Sequence, residues 1–91
     1  MLISVMAGNS DNKLTQQEWS NFVNELSNFL SGWQIARHFF GGSPTWTSWQ
    51  NVCFVIEISS LDQALLDGLT SIREKYRQDS VCILTGEPRF I

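Results

Sequence analysis

The chain has little positive charge: six Lys and Arg stand against nine Asp and Glu, for a formal net charge of −3. No cluster of Lys or Arg forms the phosphate-neutralising stripe on which nucleic-acid affinity depends, so DNA and RNA are not expected among its partners. Charged residues are only 16% of the chain, which is also too few to imitate a DNA backbone by acidity. Histidine is scarcer still. His38 is the single one, so any metal site or proton shuttle must be built around it, with Cys53, Cys82, Glu57 or Asp11 as helpers. None of these stands at a zinc spacing such as C-x-x-C or H-x-x-x-H, and neither a metal nor a cofactor is expected.

The two cysteines, Cys53 and Cys82, both fall inside strand-like apolar runs, where a small buried thiol is the commoner role than a disulfide or a ligand. An apolar setting is also the wrong one for a reactive nucleophile. No apolar run approaches the ~20 residues of a membrane-spanning helix. The opening Met1 to Gly8 has no positive stretch before it turns polar at Asn9 to Lys13, so it does not read as a secretory leader. A cytoplasmic protein without a membrane partner is the expectation.

What is present points to a folded domain. Hydrophobic residues make up 43% of the 91 and aromatics 12%, including four Trp. That is too apolar for a disordered segment, and the length fits one domain spanning 1–91.

Leu2 to Met6 is a short apolar run closed by Gly8, Asn9, Ser10 and Asp11, the pattern of a buried strand ending in a turn. Thr15 and Glu18 make a capping box, with Leu14 and Trp19 at the staple positions. Trp19, Phe22, Val23, Leu26, Phe29, Leu30 and Trp33 then recur at spacings of three and four, one face of a helix for which Gly32 is the natural stop. From Trp33 to Phe40 the period becomes two, with Trp33, Ile35, Arg37 and Phe39 on one side. Gly41-Gly42-Ser43-Pro44 interrupts, and a third strand, apolar on both faces, runs Val52 to Ile58. Ser60 and Gln63 suggest a second capping box, ahead of a stripe of Leu61, Ala64, Leu65, Leu69, Ile72 and Tyr76 that ends near Gln78. Gly68 inside this helix costs about 1 kcal/mol against Ala, unless a neighbour packs closely there. Ser80 to Thr85 is the last strand.

The order strand, helix, strand, strand, helix, strand, with right-handed crossovers, implies an α+β ferredoxin-like βαββαβ sandwich: a four-stranded antiparallel sheet with two helices on one face. The first and third strands would be central. The other sheet face would be bare, and a bare face with aromatics is a candidate for contacts.

The loop from Gly41 to Asn51 holds Trp46 and Trp49 among small polar residues. Loops carry function and Trp is enriched at binding hot spots, although either Trp could instead fold back over the core. Gly41-Gly42-Ser43 lacks a following helix whose amides could face a phosphate.

The run Leu14-Thr15-x-x-x-Trp19-x-x-Phe22-x-x-Glu25, Gly32 soon after, and Ile72-Arg73-x-x-Tyr76-Arg77 leading into Gln78-Asp79-Ser80-Val81 resemble an uncharacterised bacterial family of small βαββαβ proteins. The resemblance covers about Leu14 to Phe90. It implies the same order of elements and brings no catalytic residue, since that family has no established activity. The loop after the first helix is shorter here.

The functional expectation is a small acidic protein-interaction module, regulatory or inhibitor-like and of microbial or phage origin. It would bind a protein partner or itself, as a homodimer, through the open sheet face, with Trp46, Trp49, Phe39 and Arg37 as binding residues. The competing expectation is a small-ligand enzyme or sensor with a pocket at the sheet or a dimer interface, using His38 with Arg37 and Glu57.

Overall fold

A computed structural model describes residues 1–42, 50–86, 89 and 91, and residues 10 and 35–42 through their backbone alone. The strands are β1 (Leu2–Gly8), β2 (Gln34–Gly42), β3 (Gln50–Glu57) and β4 (Cys82–Gly86); the helices are α1 (Gln16–Leu30) and α2 (Gln63–Lys75). The sheet order is β2-β3-β1-β4, with every neighbouring pair antiparallel. Placing β3 and β1 at the centre follows from their composition, because a central strand is the one that can carry apolar side chains on both faces. Helix–strand order and sheet order together define a ferredoxin-like fold.

Alternation along the central strands sorts the faces. Ile3, Val5 and Ala7 of β1 and Val52, Phe54 and Ile56 of β3 are buried, while the residues between them are not. The buried set forms one core with Trp19, Phe22, Val23, Leu26 and Leu30 of α1 and Leu65, Leu69 and Ile72 of α2. Both helices therefore cover the same side of the sheet.

α1 begins as its sequence requires. The Thr15 side chain accepts from the Glu18 N–H at 3.2 Å, and the Glu18 carboxylate accepts from the Thr15 N–H at 3.1 Å, which satisfies amides that the first turn would otherwise leave open. Leu14 and Trp19 are both buried beside this cap.

Gly32 does not supply a left-handed stop, since no described glycine has positive φ. The helix instead tightens through Gly32 N–H to the Phe29 carbonyl (3.3 Å) and Trp33 N–H to the Leu30 carbonyl (3.0 Å).

α2 is capped by Asp62, not Ser60: its carboxylate accepts from the Leu65 N–H at 2.7 Å. An aspartate caps as well as a serine and adds a negative charge at the positive end of the helix. With the start moved two positions on, Leu61 and Ala64 fall outside the buried stripe and are exposed. The helix ends at Lys75, and Arg77 just beyond it takes the left-handed conformation (φ 56°).

The strict alternation expected along β2 is broken. Ile35 is level with Ile56 and Arg37 with Val55, so β2 advances two residues while β3 advances one. An extra residue of this kind is a bulge, which a period-two reading of one strand cannot anticipate.

Candidate functional site

The sheet face that carries no helix, uncovered among the described residues, is organised as three rows across β3, β1 and β4. Leu2 lies between Glu57 and Gly86, Ser4 between Val55 and Leu84, and Met6 between Cys53 and Cys82. Directly opposed residues of antiparallel strands project to the same side, so each row is a line of neighbouring side chains. Ser4, Met6, Cys53 and Val55 are half-buried, and Leu84 is 57% exposed. The rows continue onto β2 by register, where Val55 is level with Arg37 and Cys53 with Phe39. Two residues singled out from the sequence thus lie at the levels of the Val55 and Cys53 rows. Trp46 and Trp49 lie outside the described residues.

The cysteines depart from their expected burial. Cys82 is exposed and Cys53 half-buried, both as free thiols. The reason is parity: each opposes Met6, whose neighbours Val5 and Ala7 point into the core, so all three sulfur side chains belong to the face without helices. Met6, Val55, Leu84 and Cys82 were missed as face residues. The signal was available in the alternation of β1, once Ile3 and Val5 are assigned to the core.

His38 is level with Phe54, whereas Glu57 is level with Gln34. Three residues along a strand is roughly 10 Å, so the backbone does not bring His38 and Glu57 to one level. The Glu57 carboxylate instead accepts from the amino group of Met1 at 2.8 Å. Among the described residues no group of three or more His, Cys, Asp or Glu gathers where a metal ion could be held. No helix among them is long and apolar enough to cross a membrane.

Polar side chains concentrate on the opposite layer, where they tie α1 to the end of α2. The Tyr76 hydroxyl donates to Glu25 Oε2 at 2.7 Å and Lys75 Nζ to both Glu25 oxygens at 3.0 and 3.1 Å. This acceptor pushes the Tyr76 hydroxyl up to about 12, and the same hydroxyl, followed by Lys75, holds the Glu25 carboxyl below its ordinary value. Arg77 reaches Glu18 Oε2 at 3.0 Å and Lys13 reaches Asp79 at 2.9 Å. The Glu18 carboxyl is lowered first by the Thr15 amide and then by Arg77. These groups bind α1 and the segment before it to the end of α2, and the Met1–Glu57 pair is the ion pair at the border of the bare face among the described residues.

A cleft of about 170 Å³ lies between α2 and β4, lined by Leu66, Leu69, Thr70, Arg73, Val81 and Ile83. Its lining mixes aliphatic side chains with Thr70 and Arg73, and Arg73 donates to the Gln78 carbonyl at 3.3 Å.

The fold and the face together define a ferredoxin-like sandwich with one sheet face uncovered among the described residues. No family model matches the chain, and no curated protein matches it in sequence. Among solved structures it is similar to a dimeric ferredoxin-like protein from an uncultured marine organism, at 15% identity and a TM-score of 0.47, over 99% of this chain and 90% of that one.

Proposed function

We propose that the chain is a small, non-enzymatic interaction module, regulatory or inhibitor-like, that binds an apolar protein surface through its uncovered sheet face. The observation that carries this reading is the pair of rows through Ser4 and Met6. Val55, Ser4 and Leu84, followed by Cys53, Met6 and Cys82, give an uncharged patch with the Met1–Glu57 ion pair at its border in the Leu2 row, while the ion pairs of Lys13, Lys75 and Arg77 sit on the other side of the sheet. Contiguous apolar surface of this kind marks contact sites more often than chemistry. The binding loop would be the Trp46/Trp49 segment, which follows β2 in the chain, with Arg37 and Phe39 at the level of the rows. A protein partner and a second copy are both surfaces of the required chemistry.

The test combines Val55→Lys with a Trp46→Ala/Trp49→Ala double variant. Each is compared with wild type by sedimentation over a concentration series and by capture of a partner. Loss of association with an unchanged circular dichroism spectrum supports the reading. Capture of a partner that survives both changes overturns it, whatever the oligomeric state of the chain itself.

A further inference from the structure

β4 forms an edge of the sheet and pairs, among the described residues, with β1 alone. Its outer row of backbone N–H and C=O groups therefore offers a template for another strand. Proteins ordinarily guard such edges with charged side chains, proline, a bulge or a covering element. Cys82-Ile83-Leu84-Thr85-Gly86 contains no charge and no proline, and its pairing with β1 runs without a register shift. The opposite edge differs, for β2 carries Arg37, His38 and the bulge between Ile35 and Arg37.

We propose that β4 pairs with β4 of a second copy, antiparallel, so that two chains form a homodimer with one continuous sheet. An uncharged strand meets its own copy without repulsion, which few foreign strands would match as well. A two-fold axis at Leu84 pairs every residue of β4: Leu84 with Leu84, Ile83 with Thr85, and Cys82 with Gly86. Five paired residues alone fall short of the ~1,200 Å² of a stable interface. The exposed Leu84 and the cleft between α2 and β4, with Val81 and Ile83 in its lining, lie beside the seam and supply further contact area. This goes beyond the face reading, because the uncovered faces of both copies stay free and become contiguous.

The test is sedimentation of the purified chain with Leu84→Lys and Val55→Lys, together with a Cys53→Ser/Gly86→Cys variant oxidised in air. A Cβ at Gly86 meets nothing within 4 Å and its φ is not positive, so that change is tolerated. Positions 82 and 86 of one strand stand roughly 13 Å apart at about 3.3 Å per residue. That is beyond the reach of a disulfide, so a link between Cys82 and the thiol introduced at 86 must join two chains. Edge pairing predicts a wild-type dimer, a dimer in Val55→Lys, a monomer in Leu84→Lys, and a covalent dimer whose peptide map joins positions 82 and 86. A monomeric wild type, or a dimer that persists in Leu84→Lys, overturns it. A dimer lost in Val55→Lys without the 82–86 link overturns edge pairing and leaves the face reading standing.

Discussion

The ring of Phe29 on α1 lies against the bare backbone of Gly68 on α2. A Cβ added at Gly68 would come within 2.9 Å of Phe29 Cε2 and closer still to Cζ. The helices approach here because one has no side chain, and Phe29 in turn stacks edge-on against Trp33 with ring centroids 5.1 Å apart. A glycine that looks like a defect in α2 is therefore the place where α1 rests.

Gly68→Ala should destabilise the protein even though alanine is the better helix former by about 1 kcal/mol. Overpacking of this kind costs about 1–3 kcal/mol, so a net loss of about 1–2 kcal/mol is expected in urea unfolding. With Phe29→Ala in the background the sign should reverse, and the double-mutant cycle measures the coupling.

Tyr76→Phe should flatten the alkaline side of the stability profile. The hydroxyl is pushed from 10.0 to about 12 in the folded chain. Its contribution is complete below pH 10 and is lost as the pH climbs from 10 toward 12, because only the unfolded chain releases the proton there. Glu25, held low by that hydroxyl and by Lys75, works at the other end: its contribution is present above its ordinary value of 4.5 and fades as the pH falls below it. Thermal unfolding from pH 3 to 12 should show both limbs in wild type and a weaker dependence above pH 10 in the variant. At neutral pH the variant should lose about 1 kcal/mol, the ordinary worth of one such hydrogen bond.

Asn9→Ala should be more damaging than a loop substitution ordinarily is. The Asn9 side chain donates to the Leu14 carbonyl at 3.0 Å and to Gln50 Oε1 at 2.9 Å, and accepts from the Leu14 N–H at 2.9 Å. It thus holds the turn after β1 to the start of β3, across Asp11 and Asn12, which both have positive φ. Leaving the half-buried partners unpaired should cost about 1–3 kcal/mol, whereas Asn12→Gly, at a position already left-handed, should be close to neutral.

Cys82 should react with a maleimide or an aromatic disulfide reagent well before Cys53, since the first is exposed and the second only half-buried. Comparing Cys82→Ser with Cys53→Ser assigns the fast phase. A fast phase that survives Cys82→Ser would contradict the parity assigned to β4.

Much of this architecture is written in local pattern. The Thr15/Glu18 box and the spacing from Trp19 to Leu30 specify α1 because both depend only on residues within a turn or two. The apolar runs of β1 and β3 mark them as central for the same reason. What was illegible depends on partners distant in the chain. Asp62 and Ser60 are equally good caps until packing chooses between them, and the bulge in β2 exists only relative to β3. Cys82 appears buried in an apolar pentapeptide, and its exposure follows from opposing Met6 on a face that no helix covers. Of the candidate site, period-two alternation groups Arg37 and Phe39 with Ile35, whereas the bulge sets Ile35 level with buried Ile56 and Arg37 and Phe39 level with Val55 and Cys53; Val55, Met6 and Leu84 also required the register.

The most direct measurement concerns the uncovered face itself. Peptides selected from a random library for binding to the wild-type chain should lose affinity by about tenfold or more against Met6→Lys and Val55→Lys, while both variants keep the wild-type circular dichroism spectrum. Peptides that bind wild type and both variants equally would place recognition elsewhere and contradict the account.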